Sequence, residues 1–196
     1  LLLRSFDFHD IERLQTAGDW DGLTQMMIDA ARGLEAGGAG CLLICSNTMH
    51  KMAPEVQAAV DIPLLHIGDA IAAAIHDSGA IRPLLLATRF AMEQDFYLGY
   101  LRERHGIDAV VPKERDRMEV HRVIYEELCQ GKVMDSSRRA YMQIIDRACS
   151  DADAPADSVI FGCTEIGLLI TPDDFSFPAY DTTVLHAEAA LTFAGY

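Results

Sequence analysis

Ile160-Phe161-Gly162-Cys163-Thr164-Glu165 is an apolar run that ends in a glycine, a thiol, a hydroxyl and a carboxylate. Leu43-Ile44-Cys45-Ser46-Asn47-Thr48 repeats the pattern in the first third of the chain. Aligned on their apolar residues, Ser46 takes the place of Cys163, Asn47 that of Thr164 and Thr48 that of Glu165. Short apolar runs followed by small hydroxylic residues read as buried strands that each lead into a helix. Two equivalent strand ends predict an α/β protein of two pseudo-symmetric halves facing a shared cleft. Ligands of open parallel sheets bind at such carboxyl ends.

The rest of the chain alternates in the same way, as βα units around a parallel sheet do. Strands are expected at residues 41–45, 64–67, 84–87, 109–111 and 159–161, with a short one at 179–180 and another in the opening run Leu1–Phe6. Leu23, Met26, Met27, Ala30, Ala31 and Leu34 form one apolar stripe at helical spacing, closed by Gly37-Gly38. Further helices are expected at 54–59, 69–76, 92–105, 117–128, 137–149 and 183–193, with Met92-Glu93-Gln94-Asp95 as a first turn. The chain has no initiator Met and opens inside an apolar run, so we expect an N-terminal segment to precede Leu1.

At 196 residues, half of them hydrophobic, the chain can bury a sizeable core. A net charge of −14 argues against a nucleic-acid partner, whose phosphates need a basic face. No apolar run approaches the ~20 residues of a membrane span. Five cysteines without scaffold spacing point to reduced thiols and a cytoplasmic setting. His50, His66 and His186 with Cys45 and Cys163 lack metal-ligand spacing, so no metal is expected.

A cysteine at a strand end and helix start gains from the helix dipole, which lowers its pKa toward the reactive thiolate. Cys163 has that placement, although a small buried hydrophobe fits the same spacing. The N–H groups of such a turn can also receive a substrate carboxylate.

Gly162-Cys163-Thr164-Glu165-Ile166, taken with Ser46-Asn47-Thr48-Met49-His50, resembles the paired signature of the aspartate/glutamate racemases. The likeness extends through Ser5-Phe6-Asp7-Phe8, Ile62–Ile67, Leu86-Ala87-Thr88-Arg89, Met92–Tyr97 and Tyr180-Asp181-Thr182-Thr183. It implies an amino-acid racemase needing neither PLP nor metal, with one catalytic residue from each half, Ser46 and Cys163, on opposite faces of the substrate α-carbon. It also implies a small-molecule amino-acid substrate and a homodimer. The resemblance implies two Rossmann-like parallel-sheet halves, residues 1–78 with 179–196, and residues 79–178. An opening strand and helix of roughly 30–40 residues, the size of one such unit, would come before them. Asn47, Thr48, Thr88, Thr164, Glu165 and Ser5 are the implied substrate-binding residues. Arg4 is a candidate carboxylate clamp through its planar fork, though a surface arginine at a sheet end reads equally well, and Arg138 or Arg139 offers another cation. Hydantoin racemases, maleate isomerases and arylmalonate decarboxylases share the strand-end cysteine, and a non-catalytic amino-acid-binding module is the reading from another class.

The sequence departs from the family pattern in two places. The first motif of relatives reads Cys-Asn-Thr, whereas here it is Ser46-Asn47-Thr48, with Cys45 one residue earlier and so on the opposite strand face. A hydroxyl is a far weaker base than a thiolate at neutral pH. The enzyme is therefore expected to be asymmetric, turning over the enantiomer deprotonated by Cys163 faster than its mirror image. Ala91 stands where relatives often carry a pocket-lining threonine.

Overall fold

The computed structural model describes residues 1–196. By contact density they form two compact units, Leu1–Ile44 with Lys51–Leu65, and Cys45–His50 with His66–Tyr196.

The first unit is helical. Helix α1 (Phe8–Ala17) starts where the Asp7 carboxylate accepts the His9 N–H at 2.9 Å, and stops at Gly18, whose φ of 71° suits a residue without a Cβ. Helix α2 (Trp20–Ala36) carries the apolar stripe read from the sequence, and α3 (Ala53–Ala58) follows later. The opening run is not a strand: residues 1–7 have no regular structure, and Leu1, Leu2 and Leu3 are exposed. Nor do residues 41–45 and 64–67 form full strands. They meet in a single parallel bridge, Leu42 to Leu64, closed by Leu42 N–H to Pro63 O (2.8 Å) and Leu65 N–H to Leu42 O (2.9 Å). Side chains take the place of a longer ladder: Glu35 accepts the N–H groups of Asp61 and Ile62, and Gln57 that of Leu64.

The second unit is α/β, built on a three-stranded, all-parallel sheet in the order β1 (Pro83–Ala87), β2 (Ser158–Gly162), β3 (Ala179–Asp181). The run at 109–111 adds one further parallel bridge, Leu84 to Val110, on the free side of β1. Every residue of β1 and β2 is buried, as expected of strands covered on both faces. Leu84, Leu85, Leu86, Ile160 and Phe161 are fully enclosed, each contributing about 1.5–3 kcal/mol by burial.

The covering helices are α4 (Ile67–Ser78), α5 (Arg89–Glu93), α6 (Asp95–His105), α7 (Glu114–Glu126), α8 (Asp135–Cys149) and α9 (Thr182–Phe193). The helix expected at 92–105 is thus two, with Gln94 extended (ψ 144°) between them, so Met92–Asp95 is a junction and not a first turn. No helix is long and apolar enough to cross a membrane.

Register decides what the sheet presents. Ala87 pairs with Gly162, and Phe161 with Asp181. Thr88, Cys163 and Thr182 therefore leave three adjacent strands at the same carboxyl end. Gly162 permits the close approach of β1 and β2, since a Cβ there would lie 2.6 Å from Leu85 Cδ1 and 3.1 Å from Leu86 O.

Candidate active site

The Ser46–His50 segment belongs to the second unit, together with these strand ends. Asn47, 3% exposed, is held at both ends of its amide. The Thr182 hydroxyl donates to Phe161 O at 2.8 Å, so its remaining role is to accept from Asn47 Nδ2, at 2.9 Å. That orientation turns Asn47 Oδ1 to the buried Tyr97 hydroxyl, which donates to it at 2.9 Å. One polar chain thus runs from α6 through Asn47 to the backbone of β2, two residues before Cys163.

Beside it, the Thr48 and Thr88 hydroxyls share a hydrogen bond of 2.8 Å. Thr88 also caps α5 by accepting the Ala91 N–H at 3.4 Å. Ser46 is half-buried, and its Oγ accepts the Met49 N–H at 3.5 Å. Cys45, its neighbour, is exposed.

At the end of β2 the Cys163 thiol donates to Glu165 Oε2 at 2.9 Å, and the Thr164 hydroxyl donates to the same oxygen at 2.7 Å. Glu165, implied as a substrate-binding residue, thus spends one oxygen on its own motif. Cys163 is buried, 9% exposed. Burial raises its pKa well above the usual thiol value, and the nearby Glu165 carboxylate raises it further. The expected lowering by a helix dipole does not occur. Cys163 leads into a turn and the three-residue 3₁₀ helix Ile166–Leu168, too short to build an aligned dipole. The resting thiol is neutral.

Arg4 and Ser5 lie in the first unit, both exposed. The Arg4 guanidinium sits 5.6 Å from the Phe6 ring centre, and both residues line an open cleft of about 670 Å³ against α2. Arg138 is paired with Asp174 at 2.5 Å. His50, His66 and His186 do pack together, with ring centres 4.5 Å (His50–His66) and 5.7 Å (His50–His186) apart. Ser46 O and the Ile67 N–H occupy both nitrogens of His50, and Gly68 N–H donates to His66 Nδ1.

Sequence reasoning did not identify Tyr97 and Thr182 as the partners of Asn47. Thr182 had a signal, being the first residue after Asp181, whose carboxylate caps α9 at a strand end. Tyr97 had none, because its role depends on how α6 packs.

A family model for Asp/Glu/Hydantoin racemases matches residues 1–190. Among solved structures the chain is similar to a Yersinia pestis protein assigned as an Asp/Glu racemase, with 46% identity and a TM-score of 0.89 over 100% of this chain and 84% of that one. It is similar to an aspartate racemase homologue from Pyrococcus horikoshii OT3, with 32% identity and a TM-score of 0.83, again over 100% and 84%. An aspartate racemase from Picrophilus torridus shares the fold at 22% identity and a TM-score of 0.69, over 88% of this chain and 69% of that one. A family match over nearly its whole length, together with solved relatives at 46% and 32% identity, means that this chain belongs to the Asp/Glu/hydantoin racemase family.

Proposed function

We propose that the protein is a cofactor-independent racemase of acidic amino acids in which Cys163 and Ser46 serve opposite faces of the α-carbon. The observation that carries this reading is the Cys163 thiol at the end of β2, hydrogen-bonded to Glu165, in the same unit as the fixed amide of Asn47 and the Thr48–Thr88 hydroxyl pair. The P. horikoshii relative, an aspartate racemase homologue at 32% identity, supports the substrate class.

An amino-acid α-proton is very weakly acidic, so the site must stabilise a carbanion-like state. The second N–H of the Asn47 amide, the one hydroxyl of the Thr48–Thr88 pair that is not donating within it, and neighbouring backbone N–H groups are the donors for the substrate carboxylate, while Thr164 keeps its hydroxyl on Glu165. The thiol must first lose its proton, and Glu165, at hydrogen-bond distance, is the acceptor. The thiolate then removes the α-proton: the C–H bond breaks and an S–H bond forms. Ser46 delivers its hydroxyl proton to the other face, forming the new C–H bond, and regains a proton from solvent, while Glu165 releases to solvent the proton it took from the thiol.

Asymmetry has a thermodynamic limit. The two enantiomers have equal free energy in water, so kcat/KM is the same in both directions. A weak Ser46 shows itself in kcat and in α-proton exchange without inversion. From the enantiomer facing Cys163, exchange outpaces inversion, because the carbanion recaptures a solvent-derived proton from the thiol before Ser46 acts.

The test is α-proton exchange in D₂O followed by NMR, with L- and D-aspartate and glutamate tested separately. Exchange that disappears in Cys163→Ala supports the reading. Equal ratios of exchange to inversion from both enantiomers would overturn the asymmetry. The raised thiol pKa and the serine at position 46 favour a second reading, a binding module without turnover, which would hold the amino acid and exchange nothing.

A further inference from the structure

The imidazole of His50 is 3% exposed and is used on both sides. The Ile67 N–H donates to Nε2 at 3.1 Å, so that nitrogen is unprotonated. The proton is therefore on Nδ1, which lies 2.7 Å from the Ser46 carbonyl and donates to it. One side chain thus ties the backbone of Ser46 to the first residue of α4. A second proton on the ring would set Nε2–H against the Ile67 N–H, donor against donor.

We propose that His50 is a positioning residue for Ser46, holding it against the start of α4 only while the ring is neutral with its proton on Nδ1. The proposal rests on Ser46 being the second acid/base group.

The surroundings favour the neutral ring. His66, the N-cap of α4, and His186 from α9 pack edge-on against His50. The charged groups of this region lie beyond His66. Tyr100 stacks on it at 3.7 Å, and the Tyr100 hydroxyl donates to Asp69 at 2.6 Å. Asp69 also meets His105 at 2.8 Å and Arg104 at 3.6 Å. The carboxylate is thus committed to α6 and does not contact His50. Burial lowers the His50 pKa well below its usual value, and His66 and His186 lower it further against the opposing pull of the Ser46 carbonyl.

The first arm of the test is long-range ¹H–¹⁵N correlation of the histidine rings, recorded from about pH 8 to pH 4 on the full chain. The expected pattern is an Nδ1–H tautomer for His50, with no titration near the ordinary value of about 6.5. The Asn47 amide, which follows the Ser46 carbonyl, and the Ile67 amide should both shift in His50→Gln. An Nε2–H tautomer, a ring titrating near the ordinary value, or an unmoved Asn47 amide would overturn the proposal. This arm needs no turnover, so it decides the brace even where no tested amino acid reacts, an outcome that would count against the proposed function alone.

The second arm is kinetic. His50→Phe fills the space without either hydrogen bond, and should lower kcat for inversion by about ten- to a hundredfold with KM changed by only a few-fold. Exchange of the enantiomer served by Cys163 should be retained. His50→Gln keeps one donor and one acceptor. It should fold if His50→Phe does not, recover part of kcat, and lack the acid limb of the parent's kcat profile. Equal losses of exchange and inversion, or an unchanged acid limb in His50→Gln, would make His50 a packing residue only.

Discussion

The Tyr97 hydroxyl donates to Asn47 Oδ1 over 2.9 Å, and both residues are buried. Burial also pushes the Tyr97 phenol far above its usual pKa, so it remains a donor at any working pH. Removing that hydroxyl leaves a buried amide oxygen without a donor, at a cost of about 1–3 kcal/mol. Tyr97→Phe should therefore lower the melting temperature by several degrees, at about 2–4 °C per kcal/mol for a chain of this size. Thr182→Val should do the same by orphaning Asn47 Nδ2. The two act on one network, so the double variant should lose less than the sum. Additive losses in a thermal melt would show that the two bonds are independent.

Thiol reactivity gives a check on the resting site. Cys45 is exposed, whereas Cys163 is buried with its thiol held neutral. Brief iodoacetamide treatment near pH 8, followed by peptide mass spectrometry, should label Cys45 at least about tenfold faster than Cys163, since thiolate fraction and access set the rate. Glu165→Gln removes the second-largest cause of the raised pKa and should speed Cys163 labelling, though not to the Cys45 rate, because burial remains. Slower labelling in that variant would mean that Glu165 activates the thiol at rest.

How much of this was legible in the sequence follows from the range of the forces involved. Strands β1 and β2 were readable because a short continuous apolar run such as Leu84-Leu85-Leu86, bounded by Pro83 and Thr88, suits a parallel strand covered on both faces. The recurrence of small and hydroxylic residues after each run was readable, and Asn47 of the first motif hydrogen-bonds Thr182 at the carboxyl end of the sheet. The bridge at Leu42–Leu64 was over-read as two strands, since Glu35 and Gln57 satisfy backbone N–H groups that a ladder would otherwise take. The thiol was misjudged because its pKa is set by burial and by Glu165, and burial is a tertiary property. The bond from Asn47 to Tyr97 spans 50 residues, and no local pattern encodes it.

Acid should destabilise the fold through the packed histidines. Burial lowers the His66 pKa to about 4, with Asp69 opposing and His186, Arg104 and His105 adding to the effect. His50 is lowered as well. Unfolded histidines titrate near 6.5, so between about pH 6.5 and 4 the unfolded chain binds more protons than the folded one. Stability should therefore fall as pH drops through that window, with no contribution from these groups above it. The His66 part is on the order of 3 kcal/mol, readable from urea midpoints. His66→Asn keeps a helix-capping acceptor and should make the slope shallower. An unchanged slope would assign the acid sensitivity to other groups.

Replacing Ser46 separates the two half-reactions of the proposed mechanism. Cys163 alone can remove the α-proton and return a solvent-derived one to the same face, which is exchange without inversion. Inversion needs a donor on the other face. Ser46→Ala should therefore retain deuterium exchange into the enantiomer served by Cys163 while losing most of the inversion. Ser46→Cys should act in the opposite sense. A thiol is a better acid than a hydroxyl by several pKa units, so it can quench the carbanion before Cys163 recaptures it, and the ratio of exchange to inversion should fall toward one. Deuterium NMR reports exchange, and chiral chromatography of the same samples reports inversion. Parent-like inversion in Ser46→Ala would remove Ser46 from the chemistry and require another proton donor on that face.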